Sequence, residues 1–246
     1  MAGKRMRVFA GPNGSGKTTI FKGILANEKV QLGIYVNADE IEKALHETNT
    51  LTFSDFKLTV TETQVKDFLR ASTFSPVKRN EPDLWMKVSI KGNTLTCASR
   101  IDSYLAADLA EFIRHKLLDA GISFTYETVM SHTGKVDFLQ EALQREFRVY
   151  LYYIATEDPE INISRVNVRV AQAGHAVAPE VIRNRYYKSL ANLKHAVKHT
   201  TRAYIFDNSQ KQANLIAEIT GGTDVTLNRA VVLPYWVAEY LVDNIS

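Results

Sequence analysis

The sequence predicts an α/β fold built on a mostly parallel five-stranded core sheet with helices on both faces. Three observations predict it. Apolar runs of strand length alternate with stretches of helical periodicity, the pattern of strands joined by crossover helices. An apolar segment at residues 6–10 runs directly into Gly11-Pro12-Asn13-Gly14-Ser15-Gly16-Lys17-Thr18, which matches every fixed position of G-x-x-x-x-G-K-[ST]. The 246 residues, 45% hydrophobic and 23% charged, suffice for one large domain with a well-buried core and show no bias towards disorder. A single P-loop NTPase-like domain over residues 1–246 is therefore expected, with a β-hairpin insertion at 73–100, a helical lid at 159–195, and a terminal hairpin plus helix at 211–246.

After the first strand, residues 17–25 carry apolar side chains at helical spacing and supply the helix that follows a phosphate loop. Residues 33–37 read as a second strand with Asp39 and Glu40 just past its end, where open parallel sheets bind ligands. Residues 54–71 read as an amphipathic helix. Ser75-Pro76 and Glu81-Pro82 then break the chain, and segments 84–90 and 94–98 flank a Gly92-Asn93 turn, the signature of a hairpin. Ser99 is placed to cap a long helix ending near Gly121, with Tyr104, Leu105, Leu109, Phe112, Ile113 and Leu117 as its apolar stripe.

Residues 122–126 make a third strand ending in Glu127, and a helix at 136–143 followed by a strand at 147–154 adds a further step. Pro159 opens a helix to residue 173, Gly174-His175 breaks it, and Pro179 opens another to His195; two helices around a glycine hinge resemble a lid. Residues 204–206 are a last core strand ending at Asp207-Asn208-Ser209. Segments 213–219 and 224–227 form a hairpin through Gly221-Gly222, and 230–242, with Pro234 in the first turn, read as a terminal core helix too short to cross a bilayer.

Composition excludes several classes. Cys97 is the single cysteine, which rules out an internal disulfide or a cysteine-rich zinc site and reads as a small buried strand residue. The basic N-terminus (Lys4, Arg5, Arg7) is not followed by an apolar stretch of signal-peptide length, so a cytoplasmic location without membrane association is expected. A net charge of +3 argues against a nucleic-acid partner, although Arg183, Arg185, Lys188, Lys194, Lys198 and Arg202 crowd one short stretch. His132, His175, His195 and His199 lack acidic or sulfur partners at ligand spacing and read as lid, helix or surface residues.

The loop motif carries the chemistry. Its glycines let backbone N–H groups curl around phosphate oxygens, Lys17 neutralises the β and γ phosphates, and the Thr18 hydroxyl joins magnesium. Residues 11–19, through Thr19, are thus the candidate nucleotide site, for ATP or GTP with Mg2+. Phosphoryl transfer also needs a group to orient the acceptor and cations over the transferring phosphate. Asp39 suits the first, standing equally as a helix N-cap; Arg169 and Arg183 suit the second, standing equally as solvent-exposed helical arginines.

Residues 11–19, Asn37-Ala38-Asp39, Tyr126-Glu127-Thr128, residues 165–170, Gly174-His175, residues 183–186 and Phe206-Asp207-Asn208-Ser209 together resemble the zeta toxin family, in the same order and over roughly residues 5–210. Members of that family are P-loop kinases that phosphorylate the 3′ hydroxyl of UDP-N-acetylglucosamine, poison cell-wall synthesis, and are neutralised by a helical antitoxin. The resemblance implies Asp39 as general base, Lys17 as phosphate lysine, Glu127 and Thr128 with Asp39 on the acceptor side, and Arg169 and Arg183 as lid arginines. The implied partners are a small-molecule hydroxyl acceptor such as a UDP-sugar, and an antitoxin protein. Val129 stands where the family carries an acceptor-contacting threonine, and the best-known toxins lack the 73–100 insertion. Two other activities remain open at this level: a regulatory NTPase module working through a protein partner, and a kinase acting on nucleic-acid ends.

Overall fold

The computed structural model describes residues 3–26, 30–171 and 177–241. In chain order the elements are β1 (Arg5–Ala10), α1 (Lys17–Leu25), β2 (Ile34–Val36), α2 (Ala38–Thr48), β3 (Thr50–Thr52), α3 (Glu62–Ala71), α4 (Ser75–Arg79), β4 (Val88–Lys91) and β5 (Thr94–Cys97). They continue with α5 (Ser103–Asp119), β6 (Phe124–Thr128), α6 (Gly134–Gln144), β7 (Arg148–Ala155), α7 (Pro159–Ala171), α8 (Pro179–Val197), β8 (Arg202–Asp207), β9 (Asn214–Thr220), β10 (Asp224–Leu227) and α9 (Tyr235–Tyr240). The chain divides into two compact units, one formed by Met1–Gly33 with Thr125–Ser246 and the other by Ile34–Phe124.

In the first unit the strands follow the order β10-β9-β8-β7-β1-β6. β1 and β8 flank β7 in parallel, with Val8 opposite Leu151 and Tyr153 opposite Ile205, while β9 and β10 add an antiparallel edge. The parallel strands read as near-continuous apolar runs because both faces are covered: Met6, Val8, Phe9, Ala10, Val149, Leu151, Tyr153, Ile154 and Ala155 are all buried. α1 packs on β1, α6 on β7, and α8 against α6, α7 and α9. Both α7 and α8 open on a proline, whose fixed φ suits the first helical turn. This is the expected α/β fold, and the strands and helices of this unit lie within a residue or two of their predicted places.

The second unit packs α2, α3 and α4 against α5 and carries a three-stranded antiparallel sheet, β3-β5-β4. The hairpin predicted around Gly92-Asn93 is present, with both turn residues at positive φ (54° and 68°), the geometry that matches strand twist in a two-residue turn. Three boundaries differ from the sequence reading. Residues 54–71 are not one helix: a 3-10 turn at Phe53–Phe56 ends where Lys57 adopts φ 57°, and α3 starts only after Thr61, which forms a capping box with Gln64. Ser99 does not cap α5; Asp102 does, accepting from the Leu105 N–H, while the Ser99 hydroxyl donates to Glu81. The terminal helix of the first unit is shorter than expected, with Pro234 as its N-cap and Val242 outside the described residues.

Candidate active site

β1 ends at Ala10 and hands the chain to the glycine loop, whose Gly11 N–H bonds the Thr128 carbonyl at the end of β6 (3.2 Å). Two glycines are fixed by geometry. Gly16 is the N-cap of α1 at φ 95°, and a Cβ there would collide with the Asn208 side chain; at Gly14, φ 74°, a Cβ would stand 2.5 Å from the Asn162 carbonyl oxygen. α1 begins without a side-chain cap and without an acidic residue of its own in its first turn, so its positive end suits an anion. Lys17 Nζ lies back over the loop and donates to the Gly11 and Pro12 carbonyls, each at 2.9 Å. Ser15 is fully buried, with no hydrogen-bond partner for its Oγ among the described residues. A loop of positive-φ glycines with a buried lysine-side hydroxyl fits phosphate.

The structure joins two residues to which the sequence gave separate roles. Thr18 Oγ1 donates to Glu127 Oε2 at 2.9 Å, so the expected magnesium hydroxyl and the expected acceptor-side carboxylate are neighbours. Both are hard oxygen donors of the kind magnesium takes. Among the described residues no group of three or more His, Cys, Asp or Glu forms an all-protein metal cage, as befits a cation shared with phosphate oxygens and water. The Thr128 hydroxyl accepts from the Met130 N–H (3.1 Å), closing a turn around Met130 at φ 56°.

In the second unit Asp39 lies exposed in the first turn of α2. Asn37 caps this helix by accepting from the Asp39 N–H (2.8 Å), and donates its own amide to the Tyr35 hydroxyl (2.8 Å). The capping role that Asp39 shared on sequence grounds therefore belongs to Asn37, and the Asp39 carboxylate has no hydrogen bond among the described residues.

Arg169 and Arg183 are both exposed, on α7 and α8. Arg183 Nε donates to Glu160 Oε1 in the first turn of α7 (2.7 Å), and that bond raises its already high pKa. The Gly174-His175 hinge lies outside the described residues. Both helices are anchored to the first unit: Tyr186 OH donates to the Thr156 carbonyl (2.6 Å), Ser189 Oγ to the Val129 carbonyl (2.7 Å) and Asn192 Nδ2 to the Met130 carbonyl (2.9 Å). Ile163, Val166 and Ile182 form a small apolar core between the helices.

Three residues at the loop carried no independent signal in the sequence. Asn162, fully buried on α7, donates to the Asn13 carbonyl (2.5 Å); Asn208, after β8, donates to the Ser15 carbonyl (2.8 Å); Arg165 holds the Asn208 carbonyl (2.8 Å). Next to them Asp207 accepts from the Ser209 hydroxyl (2.8 Å) and from Trp236 Nε1 (2.9 Å), which ties α9 to the end of β8.

The zeta toxin family model matches residues 97–218, a range that includes Glu127, Arg169, Arg183 and Asp207-Asn208-Ser209 but neither the glycine loop nor Asp39. The resemblance read from the sequence is borne out. An uncharacterized protein of Haemophilus influenzae is 31% identical over 72 residues, 29% of this chain and 51% of that protein, so the chain spans about half the length of the curated relative it matches. The fold is similar to AvrRxo1-ORF1:AvrRxo1-ORF2, crystallised with sulphate ions (TM-score 0.53, 14% identity, 93% of this chain and 62% of that one) and with ATP (0.50, 13%, 93% and 61%). It is also similar to the PezAT chromosomal toxin-antitoxin system of Streptococcus pneumoniae (0.51, 14%, 89% and 72%). Among the described residues no helix is long and apolar enough to cross a membrane.

Proposed function

We propose that this chain is a P-loop kinase that transfers the γ-phosphoryl group of ATP or GTP to a hydroxyl of a small molecule, in the manner of zeta toxins, with UDP-N-acetylglucosamine as the first acceptor to test. The observation that carries the reading is the glycine loop on α1 with Thr18 hydrogen-bonded to Glu127, in a chain whose 97–218 segment matches that family. Phosphoryl transfer asks little covalent chemistry of the protein; positioning and charge stabilisation supply most of the rate. On this reading Lys17 exchanges its two carbonyl acceptors for phosphate oxygens, a stronger charge-assisted pairing. Magnesium, held by Thr18 with Glu127 beside it, would supply neutralisation of the β and γ oxygens.

Asp39 takes the general-base role on the family resemblance, and its exposed carboxylate suits proton acceptance from a hydroxyl. Arg183 and Arg169 supply the cations; Arg183 must leave Glu160 to do so, which makes Glu160 a competitor for it. ATP is favoured as donor by the ATP complex of the AvrRxo1-ORF1 neighbour, and an antitoxin partner by the PezAT neighbour, each named so in its own structure.

Incubating purified protein with γ-labelled ATP, magnesium and a panel of UDP-sugars, nucleosides and aminoglycosides tests this. Label on a small-molecule hydroxyl is the expected result. Label released only as phosphate identifies an NTPase module instead, label on added oligonucleotide ends identifies a nucleic-acid kinase, and label that stays on ATP overturns nucleotide chemistry altogether.

A further inference from the structure

The peptide group is planar and trans, so a carbonyl and the N–H of the next residue point to opposite sides of it. A phosphate loop works by aiming N–H groups inward, which means that its carbonyls must be held outward. In this chain two side-chain amides from separate elements do the holding. Asn162 Nδ2 on α7 donates to the Asn13 carbonyl (2.5 Å), and Asn208 Nδ2 after β8 donates to the Ser15 carbonyl (2.8 Å). The N–H groups across those two peptides are those of Gly14 and Gly16, and neither has an acceptor among the described residues.

Both asparagines are themselves pinned. Asn162 is fully buried and its Oδ1 accepts from the Thr156 hydroxyl, so its amide cannot turn without leaving that oxygen unpaired. The Asn208 backbone is held at both ends, its N–H on the Ala155 carbonyl (2.8 Å) and its own carbonyl on Arg165 (2.8 Å). The loop has also grown to meet them, since side chains at Gly14 and Gly16 would strike Asn162 and Asn208.

We propose that Asn162 and Asn208 are positioning residues that clamp the phosphate loop from two sides, turning the Gly14 and Gly16 N–H groups toward bound phosphate before the nucleotide arrives. The clamp rests on the nucleotide-binding reading. It also explains why α7 starts where it does: residues 162 and 165 of that helix serve the loop and its neighbour Asn208, whereas residue 169 lies one turn further on, exposed.

The test measures equilibrium binding of ATP with magnesium, and of inorganic pyrophosphate, to the full chain and to Asn208→Ala and Asn208→Leu. Both variants keep the backbone bonds of residue 208; the leucine also keeps the shape of the side chain and lacks only the donor. Each is expected to bind ATP and pyrophosphate roughly tenfold more weakly, the effect of one well-placed hydrogen bond, with an unliganded melting temperature close to that of the parent. Asn162→Ala should show the same loss of affinity together with lower stability, because it also strands Thr156.

Unchanged affinity in both Asn208 variants, with a parent that binds normally, overturns the clamp and leaves the kinase reading standing. So does a loss confined to ATP, since residue 208 would then act on the nucleoside and not on the loop. Full affinity in Asn208→Leu with loss only in Asn208→Ala reduces the asparagine to packing and likewise overturns it. If the parent chain itself binds neither probe, the phosphate-loop reading falls and the clamp with it.

Discussion

Lys17 and Asp39 separate the two halves of the proposed reaction, because one acts on the donor and the other on the acceptor. Lys17 contacts the loop only through the carbonyls of Gly11 and Pro12, so Lys17→Ala removes a charge with little loss of packing. We expect that variant to fold and to lose nucleotide binding and turnover together. Asp39→Asn should instead keep ATP affinity and lower acceptor phosphorylation by about 10² to 10⁴, the usual contribution of general-base assistance. Equal loss of ATP binding in Asp39→Asn would make Asp39 a magnesium or structural residue. Lys17, Thr18 and the glycines were legible from their spacing alone, since the motif is local and its chemistry is carried by residue type. The Thr18–Glu127 contact, and Asn162 and Asn208 at the loop carbonyls, were not, because each joins residues more than a hundred positions apart through partners that any asparagine or glutamate might have had.

At the scale of the element, the errors of the sequence reading share one cause. Ser99, Asp102 and Thr61 are all good caps, and which of them caps a helix was decided by what else each one touches. Ser99 and Asp102 both meet Arg79, whose side chain is only 2% exposed and which also pairs with Glu81 (2.6 Å) and Asp102 (2.8 Å). This network fastens α4 to the start of α5 in the second unit. Burial pushes the Glu81 and Asp102 carboxyls up, but for Glu81 the bonds from Arg79 and Ser99, and for Asp102 those from the Leu105 N–H and Arg79, more than offset it, leaving both below the usual carboxylate range. Groups with depressed folded pKa values contribute stability that is fully present above the unfolded value of about 4 and is lost as pH falls through the folded value. Stability against urea should therefore decline below about pH 4 in the parent chain. Arg79→Ala should cost about 2–3 kcal/mol at pH 7, less than a fully buried pair because both carboxylates touch water, and should flatten that acid decline. An unaltered acid slope in the variant would show that the network does not control the pH dependence.

Over the whole molecule, strand and helix order was readable because hydrophobic periodicity is a property of neighbours along the chain. The division into two compact units was not, since the first of them is assembled from Met1–Gly33 and Thr125–Ser246, and a reading that follows the chain cannot see that these two stretches belong together. The glycine loop, Glu127, Asn162, Asn208 and Trp236 all fall in that first unit, so nucleotide binding should stabilise it by mass action. A ligand at about a hundredfold its Kd contributes about 2.7 kcal/mol. For a chain of 246 residues, at about 2–4 °C per kcal/mol, the melting temperature should rise by about 5–10 °C with ATP and magnesium. Hydrogen exchange should slow at the same time in residues 11–18 and 207–209, where the loop and its Asn208 support sit, and Lys17→Ala should abolish both effects. A chain whose melting temperature is indifferent to nucleotide at that saturation, and equal to that of Lys17→Ala, binds no nucleotide through this loop, and the kinase reading would have to be given up with it.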